Sequence, residues 1–211
     1  MNINKVPSIE KAEIILKEAE KLNPGPWAQH SRYAAQAAKL IVENCKDLEP
    51  QVAYVLGLLH DIGRRFGVTS MRHSIDGYNF AKAKGYDLVA EICLTHSHPL
   101  GTMEEAFGKW DCSQEEYNFV ENYLKKHEVN DYDRLIQLCD AIALPEGFVL
   151  IEKRMMDVAL RHGVHQYTVA KWKATFEIKN HFEKLIGKSI YSVLPGVVEN
   201  TFEMQVYKEI L

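Results

Sequence analysis

The sequence has no long apolar run. Nothing in its 211 residues approaches the roughly 20 consecutive apolar residues that a membrane helix needs, so no membrane partner is expected. The start, Met1-Asn2-Ile3-Asn4-Lys5, has no apolar core behind it and does not read as a signal peptide. Cysteine is sparse. Cys45, Cys93, Cys112 and Cys139 are scattered, and no two form a CxxC pair. That spacing argues against a zinc knuckle or a disulfide frame and fits reduced thiols in a cytoplasmic protein. No basic block stands out, and the formal net charge is -4, which argues against a stable nucleic-acid partner. Repeats, low-complexity segments and alternating runs long enough for a strand are also missing.

What is present is helical. The chain is 46% hydrophobic, enough for one sizeable core. Ser8 can cap a helix to about Leu22, and Asn23-Pro24-Gly25-Pro26 breaks it. A second helix, Trp27 to Cys45, turns small alanines inward. Pro50 opens a third that is apolar on nearly every side and stops at Gly63. Further helices are predicted over Ser70–Lys84, from Asp87 to His98, from the Ser113-Gln114-Glu115-Glu116 capping box to His127, over Asp131–Leu144, from Gly147 to His162 and over Thr168–Ile186. Residues 100–112 read as irregular, either a lid or a packed loop. The fold class is all-α.

Four residues are poorly suited to the places they occupy. His60 and Asp61 end the apolar run Val55-Leu56-Gly57-Leu58-Leu59. Asp140 interrupts Leu135-Ile136-Gln137-Leu138-Cys139, and His30 lies in the first turn of the alanine-rich helix. A buried carboxylate costs several kcal/mol unless something pairs with it. For Asp140 the partner is either a metal or an arginine. Imidazole and carboxylate together suit a divalent ion such as Mn, Fe, Ni, Co or Zn. Neighbours on a helix point about 100° apart, so His60 and Asp61 could share an ion only across a groove that other helices complete.

His30, then His60-Asp61, then Asp140 resembles the H…HD…D signature of the HD superfamily of metal-dependent phosphohydrolases, over roughly residues 27–144. Leu58-Leu59-His60-Asp61-Ile62-Gly63 is similar to its central motif, and Cys139-Asp140-Ala141 to the segment of its last aspartate. The resemblance implies an HD-domain helical bundle with additional C-terminal helices. It places His30, His60, Asp61 and Asp140 at a first metal. His73-Ser74-Ile75-Asp76-Gly77 and Thr95-His96-Ser97-His98 resemble the segments that serve a second metal in some members. Asp61 would then bridge, His73 and His96 would hold the second ion, and His98 would be a ligand or a substrate contact. Two departures stand out. Arg64 occupies a position that is often lysine, and Pro99-Leu100-Gly101-Thr102 replaces the Gly-Tyr-Pro of the cyclic-dinucleotide phosphodiesterases.

The expected chemistry is hydrolysis of a phosphomonoester or phosphoanhydride, with a small phosphorylated substrate such as a nucleotide as partner. Asp61 would orient a water acidified by one or two divalent transition-metal ions, and Arg64 would stabilise charge on the phosphoryl group. Three rivals share the ligand set: a diiron oxygenase, a metal-anchored binding module that turns nothing over, and a structural metal. Specificity is assigned to Arg64, Arg65, Arg72, Lys109 and Trp110, and His127, His162, His165 and His181 read as solvent-facing. The expected organisation is an N-terminal helix over residues 1–26 packed on the core, an HD metal-binding domain over 27–144, and a C-terminal helical extension over 145–211. The extension would buttress the domain or form a homodimer contact.

Overall fold

The computed structural model describes residues 5–203. It is all-α apart from one two-residue hairpin. Helix α1, Ile9–Leu22, begins where the Ser8 hydroxyl accepts from the Lys11 N–H at 3.3 Å. It buries Ala12, Ile15, Leu16 and Ala19. Helix α2, Trp27–Val42, buries a stripe of alanines against α3, Pro50–Leu59. The two cross closely. A Cβ at Gly57 would come within 2.7 Å of the Ala35 Cα, so only glycine fits at that crossing.

The third helix stops sooner than its apolar pattern predicts. It closes at Leu59, and the chain tightens into a 3-10 turn over Ile62–Phe66. Asp61, at φ -101° and ψ 16°, is the joint between them, in the sparsely populated bridge region. His60 and Asp61 are therefore not successive residues of one regular helix. Next come α4, Arg72–Ala83, and α5, Asp87–Thr95. A Cβ at Gly63 would collide with the His73 carbonyl and lie 2.5 Å from the Gly77 nitrogen, and one at Gly77 would lie 2.8 Å from the Cys93 Sγ. These two glycines let the 3-10 turn, α4 and α5 stack almost backbone to backbone. Asp87 is not the cap of α5 but lies in its first turn, with Tyr86 at the cap position.

Helix α6, Gln114–Lys126, opens on the predicted Ser113–Glu116 capping box, and α7, Asp131–Asp140, on a second one made by Asn130 and Asp133. Beyond Asp140 the predicted helix gives way to β1, Ala143–Leu144, paired antiparallel with β2, Gly147–Phe148. The turn needs Gly147, at φ 149°. Helix α8, Ile151–His162, α9, Thr168–Ile186, and α10, Val197–Phe202, follow within the described residues. One core joins Ile15 of α1, Ile41 of α2, Leu56 of α3, Ile92 of α5 and Leu135 of α7. Phe148, Ile151, Phe182 and Ile190 belong to the same cluster. A smaller cluster of Ile75, Leu94, Met103, Val120 and Leu124 lies under α6. Among the described residues no helix is long and apolar enough to cross a membrane, and all four cysteines are unpaired.

Candidate metal centre

The residues singled out in the sequence come from five places and meet at the centre of the molecule. His30 projects from the first turn of α2, His60 and Asp61 from the end of α3, His73 from the start of α4, His96 from the end of α5, and Asp140 from the last turn of α7. The donor atoms of His30, His60 and Asp61 all lie within 4.8 Å of one another, and so do those of Asp61, His73 and His96. Asp61 is common to both groups. Its Oδ1 is 3.2 Å from His73 Nε2 and 3.7 Å from His96 Nε2, and its Oδ2 is 4.0 Å from His60 Nε2. Asp140 lies outside both tight groups. Its Oδ1 sits 3.0 Å from His30 Nε2 and 3.8 Å from an Arg154 nitrogen. Of the two partners weighed for it in the sequence, the arginine is in place as Arg154, and the histidine beside it, His30, belongs to the candidate metal group.

Every imidazole here is oriented the same way. Nδ1 of His30 donates to the Ala143 carbonyl at 3.1 Å, His60 to Gly57 at 2.7 Å, His96 to Ile92 at 3.0 Å and His98 to Thr102 at 2.7 Å, while His73 donates to Ser70. With Nδ1 carrying the proton, Nε2 presents a lone pair, the form in which histidine ligates a metal. His60 Nε2 and Asp61 Oδ1 are buried and have no hydrogen-bond partner. Orphaned polar atoms at the focus of such a cluster are costly. A divalent cation would satisfy them, and imidazole with carboxylate is a donor set that borderline transition metals accept. The residues fit the group: His30, His60 and Asp61 could hold one ion, with Asp140 beside His30, and Asp61, His73 and His96 a second.

The electrostatics suit a cation. Burial pushes the Asp61 carboxyl up, but Arg64, His73 and His60 outweigh it and hold it well below the usual carboxylate range. Burial also opposes ionisation of Asp140, and His30 and Arg154 overcome it in the same way. Burial lowers His60 and, reinforced by His60, takes His96 down to about 3. Burial thus favours the neutral form of His60 and His96, while both carboxylates are charged at neutral pH. Arg64 Nε donates to Asp61 Oδ2 at 2.6 Å, and its Nη2 faces His73 Nε2 at 3.5 Å.

His98 does not join either group. It is only 2% exposed, stacks on Trp110 with ring centroids 5.8 Å apart, and leaves Nε2 without a partner. Of the five residues assigned to specificity, Arg64 alone lines the cleft over the metal centre. Arg65 lies on the Phe80 ring, its guanidinium carbon 4.2 Å from the centroid, and Arg72 pairs with Glu116 at 3.2 Å. Trp110 donates to the Met103 carbonyl, and Lys109 also lies outside the cleft lining. Residues 100–112 are a packed loop: Met103 is buried, and the fully buried Glu105 accepts from the Leu100 and Thr102 N–H groups. Only its Ala106-Phe107-Gly108 edge reaches the cleft. His127 and His181 are not free in solvent, since each bonds an aspartate, Asp133 at 2.8 Å and Asp131 at 2.9 Å.

The cleft holds about 690 Å³, a volume suited to a small molecule. Its far wall comes from α8 and α9 through Arg154, Arg161, His162, Lys171 and Trp172, with Trp27 facing from α2. Sequence reasoning did not find this wall. Arg154 and Lys171 lie on amphipathic helices beyond the family signature, where a cation reads as an ordinary solvated residue.

No curated protein and no solved structure matches the chain. The family model described as HD domain matches residues 27–144. That span runs from the first turn of α2, which carries His30, to the end of β1, just past Asp140, and covers more than half of the chain. The protein therefore belongs to the HD-domain family, whose members are generally metal-dependent phosphohydrolases.

Proposed function

We propose that the protein hydrolyses a small phosphorylated molecule, a phosphomonoester or phosphoanhydride of a nucleotide, at the centre built around Asp61. The observation that carries this reading is the sharing of one carboxylate, Asp61, by two histidine-rich groups at the floor of a cleft that Arg64 also lines. Divalent ions, which His30, His60, Asp61, His73 and His96 would hold, would acidify a water from a pKa of about 15.7 towards roughly 7 and neutralise charge on phosphoryl oxygens. The chain's own contributions follow from the geometry. Asp61 accepts from Arg64 through Oδ2, which fixes the carboxylate and leaves Oδ1, without a hydrogen-bond partner, to face a cation and the water beside it. Arg64 commits Nε to Asp61 and retains further donors of its five for phosphoryl oxygens. Trp27 and Trp172 line the same cleft and offer flat apolar faces to a base.

Elemental analysis of natively purified protein, followed by phosphate release from a nucleotide panel, tests the reading. One or two equivalents of a transition metal and hydrolysis that fails after chelation are expected. A metal-free protein, or turnover unaffected by chelation, would overturn it. The same shared-carboxylate arrangement suits a diiron oxygenase; two irons per chain with a mixed-valence signal and no phosphate release would favour that chemistry.

A further inference from the structure

Helix α5 ends where its own backbone cannot finish it. His96 is its C-cap residue, and Pro99, just beyond, has no N–H to offer the last turn. That turn carries no basic residue of its own, although a cation there would suit the negative end of the helix. The missing donors come from two other helices. The Gln137 amide, on α7, donates to the Thr95 carbonyl at 3.0 Å and the His98 carbonyl at 3.4 Å. Lys171, on α9, donates to the Ser97 carbonyl at 2.7 Å. Main-chain N–H groups of His98 and Gly101 also reach the Thr95 and His98 carbonyls, but among the described residues only Lys171 reaches that of Ser97. The same ammonium lies 3.4 Å from the Glu105 carbonyl and 5.1 Å from the centre of the Phe107 ring, with the Glu105 carboxylate as an anionic neighbour. Its charge is therefore met where it stands, at the end of α5.

We propose that Lys171 is a positioning residue for the metal centre: its grip on the Ser97 carbonyl fixes the turn that aims His96 Nε2 at Asp61. The Ile92 carbonyl, which accepts from His96 Nδ1, sets the direction of the ring only relative to α5 itself. Where the end of α5 stands relative to Asp61 is a separate matter, and Gln137 and Lys171 hold that end from outside. His96 Nε2 lies 3.7 Å from Asp61 Oδ1, so a small shift of the turn would carry it out of reach of an ion shared with that oxygen. Lys171 lies beyond the segment that matches the HD family. Helix α9 thereby joins the parts of the chain that shape the centre. The proposal rests on the metal-centre reading above and is independent of which substrate is turned over.

The test is calorimetric titration of the metal-free full chain with Co²⁺. Lys171→Met keeps the length of the side chain and removes the donor. It should weaken Co²⁺ binding about ten-fold, the usual scale for losing a group that supports a metal ligand, and Lys171→Arg should recover most of the loss. His96→Ala is the deciding background: if Lys171 acts through His96, Lys171→Met costs nothing further there. Ile178→Val, in the core on the same helix, controls for lost stability and should leave the affinity unchanged. An undiminished loss on the His96→Ala background, or an equal loss in Ile178→Val, would make Lys171 a general support of the fold and overturn the proposal. Unchanged affinity in Lys171→Met, or a parent protein that binds no Co²⁺, would overturn it as well. Should His96→Ala bind no Co²⁺, the imidazole ¹⁵N signals of metal-free protein decide: Lys171→Met should shift those of His96 and leave those of His60 in place, and any other pattern overturns the proposal. Because these readouts are binding and spectra, a chain that behaved as expected but released no phosphate would sink the hydrolase reading alone.

Discussion

At the scale of single residues, Asp61 carries the most weight. It is the carboxylate common to both donor groups and the partner of Arg64. Asp61→Asn keeps the shape and removes the charge. It should abolish turnover and cut bound metal by at least half, measured together by phosphate release and elemental analysis. His60→Ala should do the same, because it removes the ring whose Nε2 is buried without a partner. The histidines also set a pH response. Burial lowers His96 and His98 to about 3 each, against about 6.5 in an unfolded chain. The unfolded state therefore takes up protons that the folded state refuses. Stability from these rings is complete above pH ~6.5 and is lost steadily as pH falls towards ~3. Metal-free protein should show a melting temperature that drops between pH 6.5 and 4, and His98→Gln should flatten that slope.

At the scale of elements, the site depends on how closely the 3-10 turn, α4 and α5 can approach. Gly63→Ala would push a methyl group into the His73 carbonyl. A loss of about 1–3 kcal/mol is expected from such overpacking. His73 rides on the displaced turn, so metal content should fall too; denaturant unfolding and elemental analysis read the two effects. Much of the candidate site was legible in the order of residues alone. His60, Asp61 and Asp140 each break an apolar helix, and a polar residue that does so needs a reason. The shortening of α3 was not legible. An apolar pattern cannot distinguish a last α-turn from a 3-10 turn, and the deciding fact, contact of Gly63 with α4, is tertiary. Residues 141–144 were read as helix for the same reason: two β residues leave no periodicity to detect.

At the scale of the whole molecule, the helices after the matched segment both complete the core and close the cleft. Phe148, Ile151, Ile178 and Phe182 are buried in the main cluster, while Arg154, Lys171 and Trp172 face the cleft. A chain ended after Leu144 should fail to fold cooperatively, because it would expose the partners of those four side chains; circular dichroism melts and limited proteolysis would reveal it. A truncated chain that melted sharply and kept its metal would show the HD segment to be independent. None of the cleft-facing roles was legible. A lysine or arginine on the polar stripe of an amphipathic helix carries the same sequence signal whether it meets solvent or a neighbour's cleft.

Five imidazoles keep Nε2 turned away from the main chain because carbonyls at Gly57, Ser70, Ile92, Thr102 and Ala143 grip the other side of each ring. Ring direction is thus written into the path of the polypeptide, and few side-chain replacements elsewhere can erase it. Evolution or an engineer wishing to retune which ion is preferred has little purchase on the nitrogens. The freedom lies with the two acidic positions, 61 and 140, whose oxygens are steered only by Arg64, Arg154 and neighbouring rings.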